Sequence, residues 1–307
     1  MDWTEIEELA AQQGCRVTRN ASMAAATSFH IGGSADLLID LPHEAAAQAV
    51  LAACQRAEIS PFFLGNGSDL LVGDRGIRGV VLRWDGKRQE PQLLPDGTVE
   101  CPAGVSLQRL CLFARDRGLT GLEFAYGIPG SVGGALFMNA GAYGGEMAQV
   151  VTGATALTPS GERRSYTPEE LQLTYRHSVF AEQPPTQKEW IAAVRFRLTA
   201  GNPEDIAARM RELMTRRREK QPLEYPSAGS FFKRPAGYFA AALLEECGLK
   251  GCRIGDAQIS EKHAGFVVNR GHATAADVLA LCRHAQETVQ QQRGVALEPE
   301  VQFVGEF

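Results

Sequence analysis

The sequence predicts an α+β fold in two or three domains, and three observations carry that prediction. Strand-like and helix-like segments follow one another without the regular βα alternation of a doubly wound sheet. The chain has 307 residues, too many for one compact core of ordinary size, and its 44% hydrophobic and 22% charged residues fit a soluble globular protein. Two glycine-rich stretches, 63–72 and 127–145, interrupt the regular pattern. The longer one has seven glycines and no charge in its 19 residues. It cannot be an ordinary helix, because glycine costs up to about 1 kcal/mol per helical position relative to alanine.

Taken in order, DWTEIEELAAQQ (2–13) reads as a short helix stopped by Gly14. ADLLIDL (35–41), HEAAAQAVLAACQRAEI (43–59) and PFFLG (61–65) read as strand, helix and strand. The helix is long enough for a crossover, which makes a βαβ unit. GVVLRW (79–84) and TVECPAGVS (98–106) are further strands. LQRLCLFARDRG (107–118) is a helix with Leu107, Leu110, Cys111 and Ala114 on one apolar face and a glycine stop. ATALTPSGERRSY (154–166) reads as a hairpin around Pro-Ser-Gly, and EWIAAVRFRLT (189–199) as a strand. AGNPED (200–205) is a cluster of turn formers and the expected domain boundary. Beyond it come a basic helix (203–220), a proline-containing loop QPLEYPSAGSFF (221–232) and a helix YFAAALLEECG (238–248). Short strands AQIS and GFVVN, a helix from about Thr274 to Gln292 and a closing strand EVQFVGEF complete the chain.

The charge balance of −5 argues against broad nucleic-acid binding, which needs a basic face. The acidic N-terminus lacks the basic and apolar regions of a signal peptide, and no stretch suggests a membrane span. The seven cysteines are odd in number and form no C-x-x-C pair, and the six histidines show no metal-ligand spacing. The expectation is a cytoplasmic protein without a metal site.

Four segments could carry chemistry. In FLGNGSDLLV (63–72) the turn Gly65, Asn66, Gly67, Ser68 follows a strand and can aim successive backbone N–H groups at an anion, with no Cβ to hold it off. The 127–145 stretch repeats that logic over a longer distance, with Asn139 and Tyr143 as polar handles. A planar cofactor with a pyrophosphate would suit both, although neither is a G-x-G-x-x-G turn or a P-loop. The plain alternative is a tight turn in a crowded fold. In YPSAGSFFKRP (225–235), Ser227 and Ser230 stand near Lys233 and Arg234, and nearby cations favour the alkoxide of a serine. On pattern alone, a loop whose phenylalanines plug a core is the stronger reading. Arg176 in TYRHSVF (174–180) lies among aromatic and apolar residues, which suits a carboxylate clamp. Glu300 in LEPE taken alone reads as a solvated carboxylate, and His263 in SEKHAGF as a structural histidine. The basic run 209–220 reads as a helix face in water, with Lys220 meeting a substrate phosphate as the second reading.

Seven segments in order are TSFHIGGSADLL, FLGNGSDLLVGDRGIRGVVL, GLEFAYGIPGSVGGALFMNAGAYGGEM, YRHSVF, SAGSFFKRP, GLKGCRIGDAQISEKHAGFVVN and LEPEV. Together they resemble the UDP-N-acetylenolpyruvoylglucosamine reductases of bacterial cell-wall synthesis, from about Thr27 to the C-terminus. The short link between YRHSVF and EWIAAVRF resembles the form of that family without an extra substrate-covering loop. The resemblance implies an N-terminal helix (1–19), a vanillyl-alcohol-oxidase/PCMH-type FAD-binding domain of two α+β subdomains (20–200) and a smaller α+β substrate-binding domain (201–307). It implies that FAD is held by Leu64, Gly65, Asn66, Gly67, Ser68 and Asp69. A second set is Gly127, Ile128, Pro129, Gly130, Ser131, Gly133, Gly134, Ala135, Asn139, Gly141, Ala142 and Tyr143.

The implied reaction reduces the enolpyruvyl ether of UDP-N-acetylglucosamine enolpyruvate to a lactyl ether, with NADPH as hydride donor. Ser230 would protonate carbon, while Arg176 and Glu300 would hold and polarise the substrate carboxylate. A glutamate helps there only if it is protonated or shares a proton, which needs a raised pKa. Lys220, Lys233 and Gln258 are implied to hold the substrate, together with Tyr175 and His263, and a monomer is expected. Three positions depart from the family pattern: Arg234 stands where asparagine is frequent, Asp256 replaces a frequent glycine, and FAAALL (239–244) lacks a helix glycine. Two rivals remain. One is an alcohol oxidase on the same fold, against which SAGS and LEPE argue. The other is a UDP-sugar-binding regulator without turnover, against which the joint presence of Arg176, Ser230 and Glu300 argues.

Overall fold

The computed structural model describes residues 3–307. The first helix spans Thr4–Gln12, ahead of Gly14 at φ +72°, a left-handed position that glycine adopts without a steric penalty. Asp2, expected in that helix, lies outside the described residues.

The chain forms two compact units. One takes in residues up to Arg19 together with Leu37–Asn66 and Gly79–Thr215. The other consists of Asn20–Asp36, Gly67–Arg78 and Arg216–Phe307. The division thus falls at 215/216 rather than 200/201, and two earlier segments belong with the C-terminal part. Contiguity in sequence is a poor guide here, because Ser28 finds its hydrogen-bond partner at Ser227 and the Leu70–Val72 strand its partner at Gln302–Val304.

The first unit has an apolar core that includes Leu37, Ile39 and Leu41 of the strand Ser34–Leu41, Val50 and Leu51 of the helix Glu44–Arg56, and Val80 and Leu82 of the strand Ile77–Trp84. His43 starts that helix by accepting from the Ala46 N–H. The expected strand–helix–strand order holds, but the strand Ile77–Trp84 lies between the other two in the sheet. An antiparallel five-stranded sheet follows, ordered Arg163–Tyr166, Val151–Leu157, Trp190–Phe196, Val99–Pro102, Gln92–Leu93. Trp190 of that sheet stacks on Trp84 at 4.1 Å between ring centroids, and the Trp84 indole donates to the Ile191 carbonyl at 2.9 Å. The expected hairpin is present, with its turn over 158–162. The helix Leu107–Asp116 buries Leu107, Leu110, Cys111 and Ala114, the face its spacing predicts.

The second unit has its own core around Phe231, Phe232, Leu243, Leu244, Val267, Val278 and Leu281. Its antiparallel sheet runs Ser227–Ser230, Phe266–Asn269, Ala257–Ile259, Arg253–Ile254. The helix Ala275–Arg293 has Thr274 as N-cap and Gly294, at φ +68°, as its left-handed C-cap. The closing strand Gln302–Val304 pairs in parallel with Leu70–Val72. SAGS therefore stands in a sheet, not in the loop its prolines suggested.

Candidate functional site

Gly127–Gly145 is built around a helix after all, though a very short one, Val132–Phe137. Ser131 caps it by accepting from the Gly134 N–H at 3.2 Å. The helix is pressed onto the strand end beneath, where the Gly133 N–H donates to the Ala103 carbonyl at 2.9 Å. A Cβ at Gly133 would lie 2.8 Å from that of Ala103, so glycine there serves packing. Gly134 and Gly130 differ: an added Cβ would meet only the Ser131 hydroxyl at 3.3 Å and apolar carbons at 3.7 Å or beyond, respectively. Nothing in the protein requires glycine at these two positions. Their bare faces are a cradle that side chains would fill, which fits a flat group lying against the backbone.

The end of this stretch is a hairpin of Gly141–Ala142 with Gly145–Glu146, whose two-residue loop, Tyr143 at φ +55° and Gly144 at φ +85°, has the left-handed pair of a type I′ turn. Asn139, expected as a polar handle, is a strut instead. It is 1% exposed, its amide donates to the Thr174 carbonyl at 3.0 Å, and its carbonyl oxygen accepts from the Ala148 N–H at 2.9 Å. Leu64, Gly133 and Ala135 are buried too, so any hold they have on a cofactor is through backbone.

The strut fastens the turn that carries Arg176. Thr174 and His177 exchange both backbone hydrogen bonds at 3.2 Å, which leaves Tyr175 and Arg176 at the tip. The Ser178 hydroxyl donates to the Phe137 carbonyl at 2.7 Å, tying the same turn to the end of the short helix. Arg176 is held at φ +55°, an uncommon conformation for a side-chain-bearing residue, and its guanidinium lies 5.4 Å from the Tyr175 ring centroid. Arg176 and the glycine-rich stretch therefore form one mechanical piece.

In the second unit the pairing Ser227↔Val268 and Ser230↔Phe266 skips register, and Gly229 at φ +81° takes up the extra length. Such a bulge re-aims the next side chain. Ser230 is consequently exposed, whereas Phe231 and Phe232 are 1% and 5% exposed. Both readings of this segment hold together: the phenylalanines plug the core, and that anchorage presents the serine. Glu300 is brought alongside, because its N–H donates to the Phe231 carbonyl and Lys233 N–H donates to Glu298 O, each at 2.8 Å.

The Gly67 end of the turn expected to bind an anion belongs to the same unit. Ser28 N–H donates to the Gly67 carbonyl at 3.0 Å, and the Ser28 hydroxyl donates to the Ser227 carbonyl at 2.7 Å. Asp69, at the end of the turn, accepts from the Gln302 N–H at 3.0 Å. Gly67 stands at φ +62° with Thr27 so close that a Cβ would lie 2.9 Å from the Thr27 α-carbon. The Thr27 hydroxyl is buried without a hydrogen-bond partner among the described residues. An orphaned hydroxyl is costly, and one beside an anion-binding turn fits a missing acceptor. Thr27 and Ser28 stand at this turn although no single-residue signal in the sequence marks them. Nothing in a lone Thr-Ser pair says what it will face.

The expected substrate residues fare unevenly. Lys220 ends the helix Pro203–Lys220 and is exposed. Lys233 pairs with Glu298 at 2.5 Å, so an incoming anion has to compete with a carboxylate. Gln258 is 8% exposed and donates to the Gly251 carbonyl at 3.1 Å, a structural bond. His263 accepts at Nδ1 from the Gly265 N–H at 3.1 Å. Burial first, then the charges of Lys250 and Lys220, hold its pKa below the ordinary value, so it is a neutral ring with its proton on Nε2. That leaves one N–H donor for a ligand. No cluster of three or more His, Cys, Asp or Glu suited to a metal occurs among the described residues.

A family model described as an FAD binding domain matches residues 35–166. One described as the C-terminal domain of UDP-N-acetylenolpyruvoylglucosamine reductase matches residues 221–304. A relative of that name from Agathobacter rectalis is 48% identical over 92% of this chain and 91% of its own. Another from Syntrophomonas wolfei is 45% identical over 95% and 96%. The crystal structure of the reductase of Thermus caldophilus, 36% identical, matches with a TM-score of 0.79 over 94% of this chain and 98% of that one.

Proposed function

Because this chain belongs to the UDP-N-acetylenolpyruvoylglucosamine reductase family, we propose how its own residues carry out that reaction. The protein is an FAD-dependent oxidoreductase of peptidoglycan synthesis that reduces UDP-N-acetylenolpyruvoylglucosamine. The bare faces of Gly130 and Gly134 and the orphaned Thr27 hydroxyl fit the flavin such an enzyme needs. FAD held there would supply hydride chemistry at the terminal carbon of the enolpyruvyl double bond, with NADPH as the proposed source of the hydride.

Delivery leaves negative charge on the adjoining carbon, delocalised into the carboxylate. Ser230 donates its hydroxyl proton to that carbon and recovers a proton from solvent, which its exposure permits. Arg176 binds the carboxylate with paired donors, and Glu300, carrying or sharing a proton, stabilises the growing charge beside Ser230. Lys220, Lys233 and the Nε2–H of His263 hold the phosphates. Tyr175 covers Arg176, and Gln258 contributes by keeping its sheet in register. The observation that supports this reading is the bulge at Gly229, which exposes Ser230 while Phe231, whose carbonyl accepts from the Glu300 N–H, is buried.

No described helix is long and apolar enough to cross a membrane. We place the enzyme in the cytoplasm on its charge and cysteine pattern, as a monomer.

The test is an anaerobic visible spectrum. Flavin absorbance should bleach on addition of NADPH and return on addition of the enolpyruvyl UDP-sugar. A flavin that bleaches and stays reduced would remove the substrate and favour an oxidase; a protein that cannot be loaded with FAD would remove the cofactor.

A further inference from the structure

We propose that Ser178 is a positioning residue for Arg176: its buried hydroxyl fastens the turn that carries the guanidinium to the end of the helix Val132–Phe137, and so aims the carboxylate clamp. The proposal rests on the reading above that Arg176 holds the substrate carboxylate.

The serine forgoes its local bond. Ser178 stands at the N-cap of the short helix Val179–Glu182 with extended dihedrals, φ −147° and ψ 164°. A serine hydroxyl in that place ordinarily accepts from a backbone N–H two or three residues on. Ser178 makes no such bond. At 0% exposure it donates instead to the Phe137 carbonyl at 2.7 Å, across 41 positions of chain.

The acceptor needs that donor. A helix leaves its last four carbonyls short of partners. In Val132–Phe137 the carbonyl of Gly134 accepts from the Met138 N–H at 3.2 Å, that of Ala135 from Ala140 at 2.8 Å and that of Leu136 from Asn139 at 3.1 Å. These three donors are the backbone N–H groups that follow the helix. Phe137 is the fourth, and the hydroxyl that reaches it comes from the far side of Arg176. One bond thus completes the helix and fixes the turn.

Arg176 is held at φ +55° in the two-residue tip between Thr174 and His177. A side-chain-bearing residue keeps such a conformation only where its surroundings over-determine it. Both feet of the turn are tied to the same short segment. Asn139 donates to the Thr174 carbonyl ahead of Arg176, and Ser178 donates to the Phe137 carbonyl behind it. The Val179 N–H adds a bond to the Leu171 carbonyl at 2.9 Å. Loss of the hydroxyl loosens one foot and lets Arg176 relax toward ordinary backbone angles. A small rotation is enough to spoil a paired-donor grip, because two N–H groups have to meet two carboxylate oxygens at once. A serine that served folding alone would act on every step alike, whereas a positioning serine acts only where the carboxylate is held.

The test is anaerobic stopped-flow absorbance of the Ser178→Ala holoenzyme. Reduction of the flavin by NADPH should keep its wild-type rate, since it needs no carboxylate clamp. Reoxidation by the enolpyruvyl UDP-sugar should slow about 10- to 100-fold, the scale of a misplacement near 1 Å. Ser178→Cys keeps most of the buried volume with a weaker donor, and should show the same selective loss to a smaller degree even if Ser178→Ala does not fold. Added to Arg176→Ala, the Ser178→Ala change should slow reoxidation by no more than about 2-fold, because the group it positions is gone. Equal slowing of both half-reactions would overturn the proposal. So would wild-type reoxidation in the Ser178 variants, or full additivity with Arg176→Ala. Unimpaired reoxidation in Arg176→Ala alone would fail the clamp reading itself, which separates that failure from this one.

Discussion

At the scale of single residues, the chemistry turns on where a side chain is aimed. Ser230 and Phe231 are neighbours in sequence, yet one is exposed and the other is 1% exposed, because the bulge at Gly229 resets the alternation of the strand. The variant Ser230→Ala should leave reduction of the flavin by NADPH intact and slow its reoxidation by the UDP-sugar about 10²- to 10⁴-fold, the usual worth of a general acid. Stopped-flow absorbance measures both steps, and equal slowing of the two would contradict the assignment. Residue types alone marked Arg176, Ser230 and Glu300 only weakly. Without the resemblance, Glu300 reads as a solvated carboxylate and Ser230 as part of a loop, since what distinguishes them is a backbone bond from Glu300 to Phe231 that spans 69 positions of chain (300 − 231). Asn139 and Gln258 show the opposite failure: their polar groups were legible, but tertiary contacts turned them to the protein's own carbonyls.

At the scale of elements, periodicity was a good guide wherever one face of an element meets a core. The helix Leu107–Asp116 and the strand Ser34–Leu41 are where their patterns put them. The helix Val132–Phe137 was not legible, because its glycines lower helix propensity and its stability comes from the Ser131 cap and from the bond to Ala103. Its two adjacent glycines give a discriminating pair of variants. Gly133→Ala forces a Cβ to 2.8 Å from Ala103 and should destabilise the protein by about 1–3 kcal/mol, seen as a lower thermal midpoint. Gly134→Ala meets only the flexible Ser131 hydroxyl at 3.3 Å and should leave the FAD-free protein as stable or up to about 1 kcal/mol more so. The same methyl should weaken FAD binding roughly 10-fold or more, measured by flavin fluorescence, because it occupies the cradle. Unimpaired FAD binding in Gly134→Ala would show that the bare face is not where the flavin lies.

At the scale of the whole molecule, the chain folds as two units that do not follow its linear order, and each carries part of the proposed machinery. Arg176 and the glycine-rich cradle belong to the first, and Ser230, Glu300 and the Gly67 turn to the second. The buried cysteines are passive: burial raises the Cys54 thiol to about 12, well away from the thiolate form. The protein should scatter light as a single 33.2 kDa chain, and a stable mass of twice that value would overturn the monomer. What the sequence determined by itself was the α+β class, most element positions and, through seven ordered motifs, the family. These are properties of local pattern, because hydrophobic period and turn chemistry act over a few residues. What only the tertiary structure decided was the grouping of Thr27, Gly67, Ser227 and Glu300 in one unit, and the direction in which each side chain points. Those depend on hydrogen bonds between segments distant in sequence, as between Ser28 and Ser227 or between Asp69 and Gln302, and no local pattern encodes such pairings.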